Sequence, residues 1–130
     1  VGDYGICIPL YYNISGIDNL DLVEDLNKEQ QFYAIFDIVS GCNYISEQPD
    51  PRQLFDIGGD CNAFAIYLKK QLDYLDIPNG FIFVESHIYN WVVLYNRLYR
   101  VDLTIPEVSV LSLVDREKLV SFFPELEKYQ

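Results

Sequence analysis

Gly58-Gly59-Asp60-Cys61-Asn62-Ala63-Phe64-Ala65 opens the most regular stretch of this chain, and Leu75-Asp76-Ile77-Pro78 closes it. Cys61, Phe64, Ala65, Leu68, Leu72 and Leu75 recur at helical spacing, while Lys69, Lys70 and Asp73 lie mostly off that face. The paired glycines end the preceding segment, Asp60 is a residue type that caps helix starts, and Pro78-Asn79-Gly80 breaks the pattern. The spacing therefore predicts a helix over about Cys61 to Leu75.

Downstream, Phe81–Ser86, His87–Leu94 and Leu98–Thr104 are rich in β-branched and aromatic residues and read as strands. Asn96, which tolerates positive φ, marks a hairpin turn between the last two. Ser112 and Asp115 resemble a helix start over Leu113 to Phe122, and Pro124 follows its end. Upstream, residues 42–60 read as a loop, because Pro49, Asp50 and Pro51 exclude a long helix. A helical stripe begins near Asp18 and runs through Leu22, Leu26, Tyr33, Phe36 and Val39, with a drift near Asn27 and a stop at Gly41. Residues 1–17 are irregular. The order predicts one α+β domain over residues 1–130, with the cysteine-bearing helix packed on a small antiparallel sheet.

The 130 residues are 50% apolar and 15% aromatic, a composition that supports a packed core rather than a disordered chain. The net charge of −11 disfavours direct nucleic-acid binding, which needs basic side chains. No apolar run is long enough to span a membrane, and no signal peptide is visible. Three cysteines, Cys7, Cys42 and Cys61, make a poor disulfide framework and suggest reduced thiols and a cytoplasmic setting. With one histidine and no paired-cysteine motif, neither a metal site nor a cofactor is expected.

Cys61 falls in the first turn of its helix, where unpaired N–H groups and the helix dipole favour a thiolate. The same position is also that of a small buried hydrophobe. His87 is the sole histidine and the natural general base for a thiol. Asp102 interrupts the apolar run Tyr99-Arg100-Val101-Asp102-Leu103, and a carboxylate in mid-strand needs a partner. His87 is one candidate and Arg100 another. A turn centred on Tyr95-Asn96 puts Asp102 opposite Tyr89 and diagonal to His87 on the same face. A turn centred on Asn96-Arg97 puts it opposite Trp91 and out of reach. Sequence leaves both registers open.

Residues 58–104 resemble the transglutaminase-like core of the papain-like cysteine protease superfamily. The resemblance rests on the Gly-Gly-Asp-Cys turn, the Leu-Asp-Ile-Pro helix end, His87, and Leu98-Tyr99-Arg100-Val101-Asp102-Leu103-Thr104. Asp76 stands where the family has Gly, Leu103 where it has Pro, and Ile88-Tyr89 where it has Ala-Trp, with Trp91 displaced. The resemblance implies a papain/transglutaminase-like fold and a Cys61–His87–Asp102 triad acting on a protein or peptide substrate. Cys61 would form a thioester, His87 would move the proton, and Asp102 would orient His87. The Cys61 N–H would be one oxyanion donor, with Gln53 or Asn43 as side-chain candidates for a second. Water as acceptor would make the protein a peptidase or amidase, and an amine would make it a transglutaminase.

Two other expectations stand beside this one. Asp18, Asp21, Glu24, Asp25 and Glu29 form an acidic stretch that would suit a basic protein partner in a non-enzymatic binding protein or inhibitor. A degenerate member of the family would keep the fold and only bind.

Overall fold

The computed structural model describes residues 26–130. Asp18, Leu22 and most of the acidic stretch lie outside the described residues. The first described helix, α1, spans Lys28–Val39. Asn27, where the helical stripe drifts, is its N-cap. The Asn27 side chain accepts from the Gln30 N–H at 2.8 Å, and the Gln30 side chain accepts from the Asn27 N–H at 3.0 Å. The 42–60 segment is irregular except for a 3-10 turn at Pro51–Gln53, which Asp50 caps. Then comes α2, Cys61–Tyr74, ending at Leu75. The Lys28 ammonium donates to the Leu75 carbonyl and ties α1 to the end of α2.

Four strands follow: β1 Asn79–Val84, β2 His87–Leu94, β3 Arg97–Asp102 and β4 Glu107–Val110. They form one antiparallel sheet in the order β1-β2-β3-β4. Helix α3, Leu113–Phe122, and a 3-10 stretch at Pro124–Lys128 complete the described chain. The described residues thus form an α+β fold of three helices and a four-stranded antiparallel sheet.

Both ends of β1 and of β3 differ from the sequence reading by one or two residues. β1 ends at Val84, because Glu85 and Ser86 make the turn and Ser86 holds φ at 63°. β3 ends at Asp102 rather than Thr104, because the chain turns there into β4, a strand that sequence did not reveal.

Tyr95 and Asn96 have φ values of 52° and 63°, the paired left-handed conformation of a tight two-residue hairpin. Leu94 therefore pairs with Arg97 and Asn90 with Val101. This is the register centred on Tyr95-Asn96, and it sorts the sheet into two faces. On one, Val92, Leu94, Val101 and Leu103 pack with Phe64, Leu68 and Leu72 of α2 and Phe32 and Ile35 of α1. On the other, Trp91 and Leu98 pack with Leu111, Leu119 and Leu126 around α3. Leu68, Leu72 and Val92 are fully buried, and burial of each such side chain contributes about 1.5–3 kcal/mol.

Tyrosine is strained at the positive φ of Tyr95, and its side chain is exposed. Tyr95→Asn should therefore stabilise the chain by about 0.5–1 kcal/mol in urea unfolding. A loss of stability would contradict the assigned turn.

Candidate functional site

Strand alternation sends the side chains of His87, Tyr89 and Trp91 to one face of β2, and those of Arg100 and Asp102 to the same face of β3. Continuing the register by one pair puts Asp102 opposite Tyr89 and diagonal to His87. His87 Nε2 lies 2.7 Å from Asp102 Oδ2. The other carboxylate oxygen, Oδ1, accepts from the Thr104 N–H at 3.0 Å and from the Thr104 hydroxyl at 2.6 Å. The Arg100 guanidinium stands 3.8 Å from Oδ2, is held by Glu107 at 2.6 Å, and lies 4.4 Å from the Tyr89 ring centre. The carboxylate at the end of β3, only 3% exposed, is thus fully partnered.

These contacts fix the electrostatics. Burial pushes the Asp102 carboxyl up, but hydrogen bonds from Thr104 and His87 outweigh it and hold the group below the usual carboxylate range. An ionised Asp102 accepts only, so the imidazole presents Nε2–H to it. That tautomer leaves Nδ1 as the nitrogen with a free lone pair, the one able to take a proton.

The nucleophile candidate stands on α2. Asp60 caps the helix, and its Oδ1 accepts from the N–H groups of Asn62 at 2.9 Å and Ala63 at 3.1 Å. Cys61 is a partly exposed free thiol, and of the first three helical N–H groups only its own is left by the cap. The loop behind it is tightly drawn. Gly58 holds φ at 115°, and a Cβ there would come within 2.4 Å of the Asn43 carbonyl oxygen. That carbonyl accepts from Gly59 N–H at 2.9 Å.

Cys61 and His87 lie at the same end of the sheet. The Asn90 side chain donates to the Ala65 carbonyl, in the second turn of α2, at 3.1 Å. Pro78, just past the far end of that helix, accepts from Val93 at 3.0 Å. The start of α2 therefore points toward the His87 end of β2. Yet α2 packs on the face of Asn90, Val92 and Leu94, whereas His87 and Asp102 belong by alternation to the other. Among the described residues no hydrogen bond joins Cys61 to His87. The structure brings His87 to Asp102.

The two oxyanion candidates flank this start without touching it through their side chains. Gln53 is exposed, and its backbone carbonyl accepts from Asp56 and Ile57 in the turn after the 3-10 stretch. Asn43 is exposed and contributes its carbonyl to Gly59. The residue that sequence reasoning missed is Gln48. Its side chain donates to the carbonyls of Gly58 at 2.8 Å and Asp50 at 3.1 Å, and its backbone carbonyl accepts from Asp60 N–H at 2.9 Å. Asn90, 1% exposed, was also missed. A polar residue inside an apolar strand is the signal that singled out Asp102, and Asn90 carries it too.

Among the described residues no group of three His, Cys, Asp or Glu side chains is placed to hold a metal ion, and no helix is long and apolar enough to cross a membrane. No known family model matches the sequence, and no curated protein matches it.

The sign of the Asp102 effect on stability follows from its lowered carboxyl. Its stabilisation is fully present above the unfolded carboxyl value of about 3.9, and is lost as pH falls through the lowered folded value. The stability advantage of the wild type over Asp102→Asn should therefore shrink as pH falls below about 4. A difference that stays flat down to about pH 2 in urea titrations would show that the carboxylate is not held as described.

Proposed function

We propose that this chain is a thiol-dependent acyl hydrolase or acyltransferase with a papain/transglutaminase-like fold, in which Cys61, His87 and Asp102 act together on a protein or peptide substrate. The observation that carries the reading is the 2.7 Å contact between His87 Nε2 and a buried, fully hydrogen-bonded Asp102. A carboxylate so placed fixes the imidazole tautomer and stabilises the imidazolium once a proton is taken.

In this reading the Cys61 thiol passes its proton to His87 Nδ1, and Sγ attacks the acyl carbon to form a tetrahedral intermediate. The Cys61 N–H, which the Asp60 cap leaves available, donates to the developing oxyanion. Collapse expels the leaving group, which takes the proton from His87, and leaves a thioester on Cys61. Water or an amine then attacks the thioester, gives its proton to His87 and releases the product as the thiol is restored. The first step requires Sγ to approach His87 within about 4 Å around the end of the sheet, and catalytic contacts of this kind are commonly longer before substrate binds.

No hydrogen bond joins Cys61 to His87 among the described residues, which favours a second reading, a protein of this fold that binds without turnover. The net charge of −11 would then suit a basic protein partner. Glu29 is not part of a free acidic face, since its carboxylate accepts from Tyr95 N–H at 2.9 Å.

Alkylation kinetics separate the two readings. Burial pushes the Cys42 thiol up to about 11, so it should react slowly with iodoacetamide at neutral pH. The enzymatic reading predicts that Cys61 reacts at least about tenfold faster than Cys42, and that His87→Ala slows Cys61 severalfold while leaving Cys42 unchanged. A Cys61 rate indifferent to His87→Ala would sink the enzymatic reading and leave binding without turnover.

A further inference from the structure

β1 forms one edge of the sheet, and among the described residues no strand pairs with its outer side. The two-residue turn Glu85–Ser86 makes Val84 and His87 a hydrogen-bonded pair. Alternation from that pair turns the N–H and C=O groups of Asn79, Phe81 and Phe83 outward, where no strand among the described residues pairs with them. The strand reads Asn-Gly-Phe-Ile-Phe-Val and carries neither charge nor proline, the usual guards of an open edge. The opposite edge is guarded. β4 has four residues, follows Pro106 and begins with Glu107, which pairs with Arg100.

The side chains along β1 are apolar and open. Phe83 is 73% exposed, and its ring centre lies 5.9 Å from that of Phe81. Beside the strand runs a cavity of about 360 Å³ lined by Ile82, Phe83, Leu119, Phe122 and Phe123 among others. Its rim, together with that of the neighbouring groove, is balanced in charge, with Lys69 and Lys118 set against Asp115 and Glu125.

We propose that β1 is the seat of a second copy of this chain, joined by antiparallel β1–β1 pairing about a twofold axis at Ile82. The strand is its own complement. Antiparallel pairing requires outward-bonding residues to face each other, and this is met when Phe81 stands opposite Phe83 of the second copy. Ile82 then faces its own equivalent. Phe81 and Phe83 share the sheet face on which α2 packs, so the pairing makes two cross-strand aromatic pairs there. On the other face, Val84 of the second copy comes opposite Gly80, near Phe123. The Phe-Ile-Phe symmetry about Ile82 and the balanced rim single out this occupant. The chain's overall charge of −11 opposes self-association, so the dimer tightens as salt screens that repulsion.

Sedimentation of the full chain from about 1 to 100 µM tests the proposal. The mass should be that of a dimer, favoured by added salt, and Phe83→Lys should halve it with the far-ultraviolet circular dichroism unchanged. Phe83→Pro blocks the same edge without removing a β1–β2 hydrogen bond and should act alike. Amide exchange at Phe81 should be slow in the wild type and fast in both variants. A wild type that is monomeric throughout overturns the proposal, as does a dimer that survives both substitutions. A monomer whose Phe81 and Phe83 amides are protected also overturns it, since another part of the chain then occupies the edge.

Discussion

The turn at Tyr95 and Asn96 is the constraint on which the arrangement depends. Because both residues take positive φ, Leu94 and Arg97 close a two-residue hairpin and every later pair in β2 and β3 is set. A slip of one residue would exchange the two faces of the sheet. Val92, Leu94 and Val101 would leave the core they share with α2, and Trp91 and Leu98 would leave the one they share with α3. The same register places Asp102 diagonal to His87. The hydrogen bond from Tyr95 N–H to Glu29 ties this turn to α1.

Asp102 illustrates the cost of a carboxylate inside a sheet and the way it is met. Both oxygens have partners, and the Arg100 guanidinium nearby is itself held by Glu107. Removing one partner would leave the buried charge less fully compensated, which is why such clusters hold a defined geometry. The start of α2 is built on the same logic. Asp60 satisfies the N–H groups of Asn62 and Ala63, and Gln48 holds the loop that delivers Asp60 and Cys61. The two halves of the candidate site are each well determined, and they stand on different faces at the same end of one sheet.

Much of this was legible in the residues. The apolar stripe of α2, the strand-like runs and the capped start of α3 carry strong local signals, and they match the observed elements within two residues. β4 was not legible, since four residues after a proline carry too little periodicity. The start of α1 looked like a drift because Asn27 is a cap, where the helical pattern is not yet in force. The hairpin register could not be chosen because tyrosine is an unusual occupant of a left-handed turn, and only its backbone angle reveals it. The Gln48–Gly58 contact spans 10 residues and the Asn90–Ala65 contact 25, beyond what a local pattern encodes. The separation of α2 and His87 onto two faces follows from alternation only once the packing partner of each face is known.

The central claim, that Cys61 works with the His87–Asp102 pair, is tested most directly by trapping the acyl intermediate. The chain is mixed with an activated ester such as a p-nitrophenyl ester, quenched in acid, and its peptides are weighed by mass spectrometry. The account predicts acylation confined to Cys61, near one equivalent at neutral pH, and lost in His87→Ala. Absence of acylation at Cys61, or equal acylation with and without His87, would contradict it.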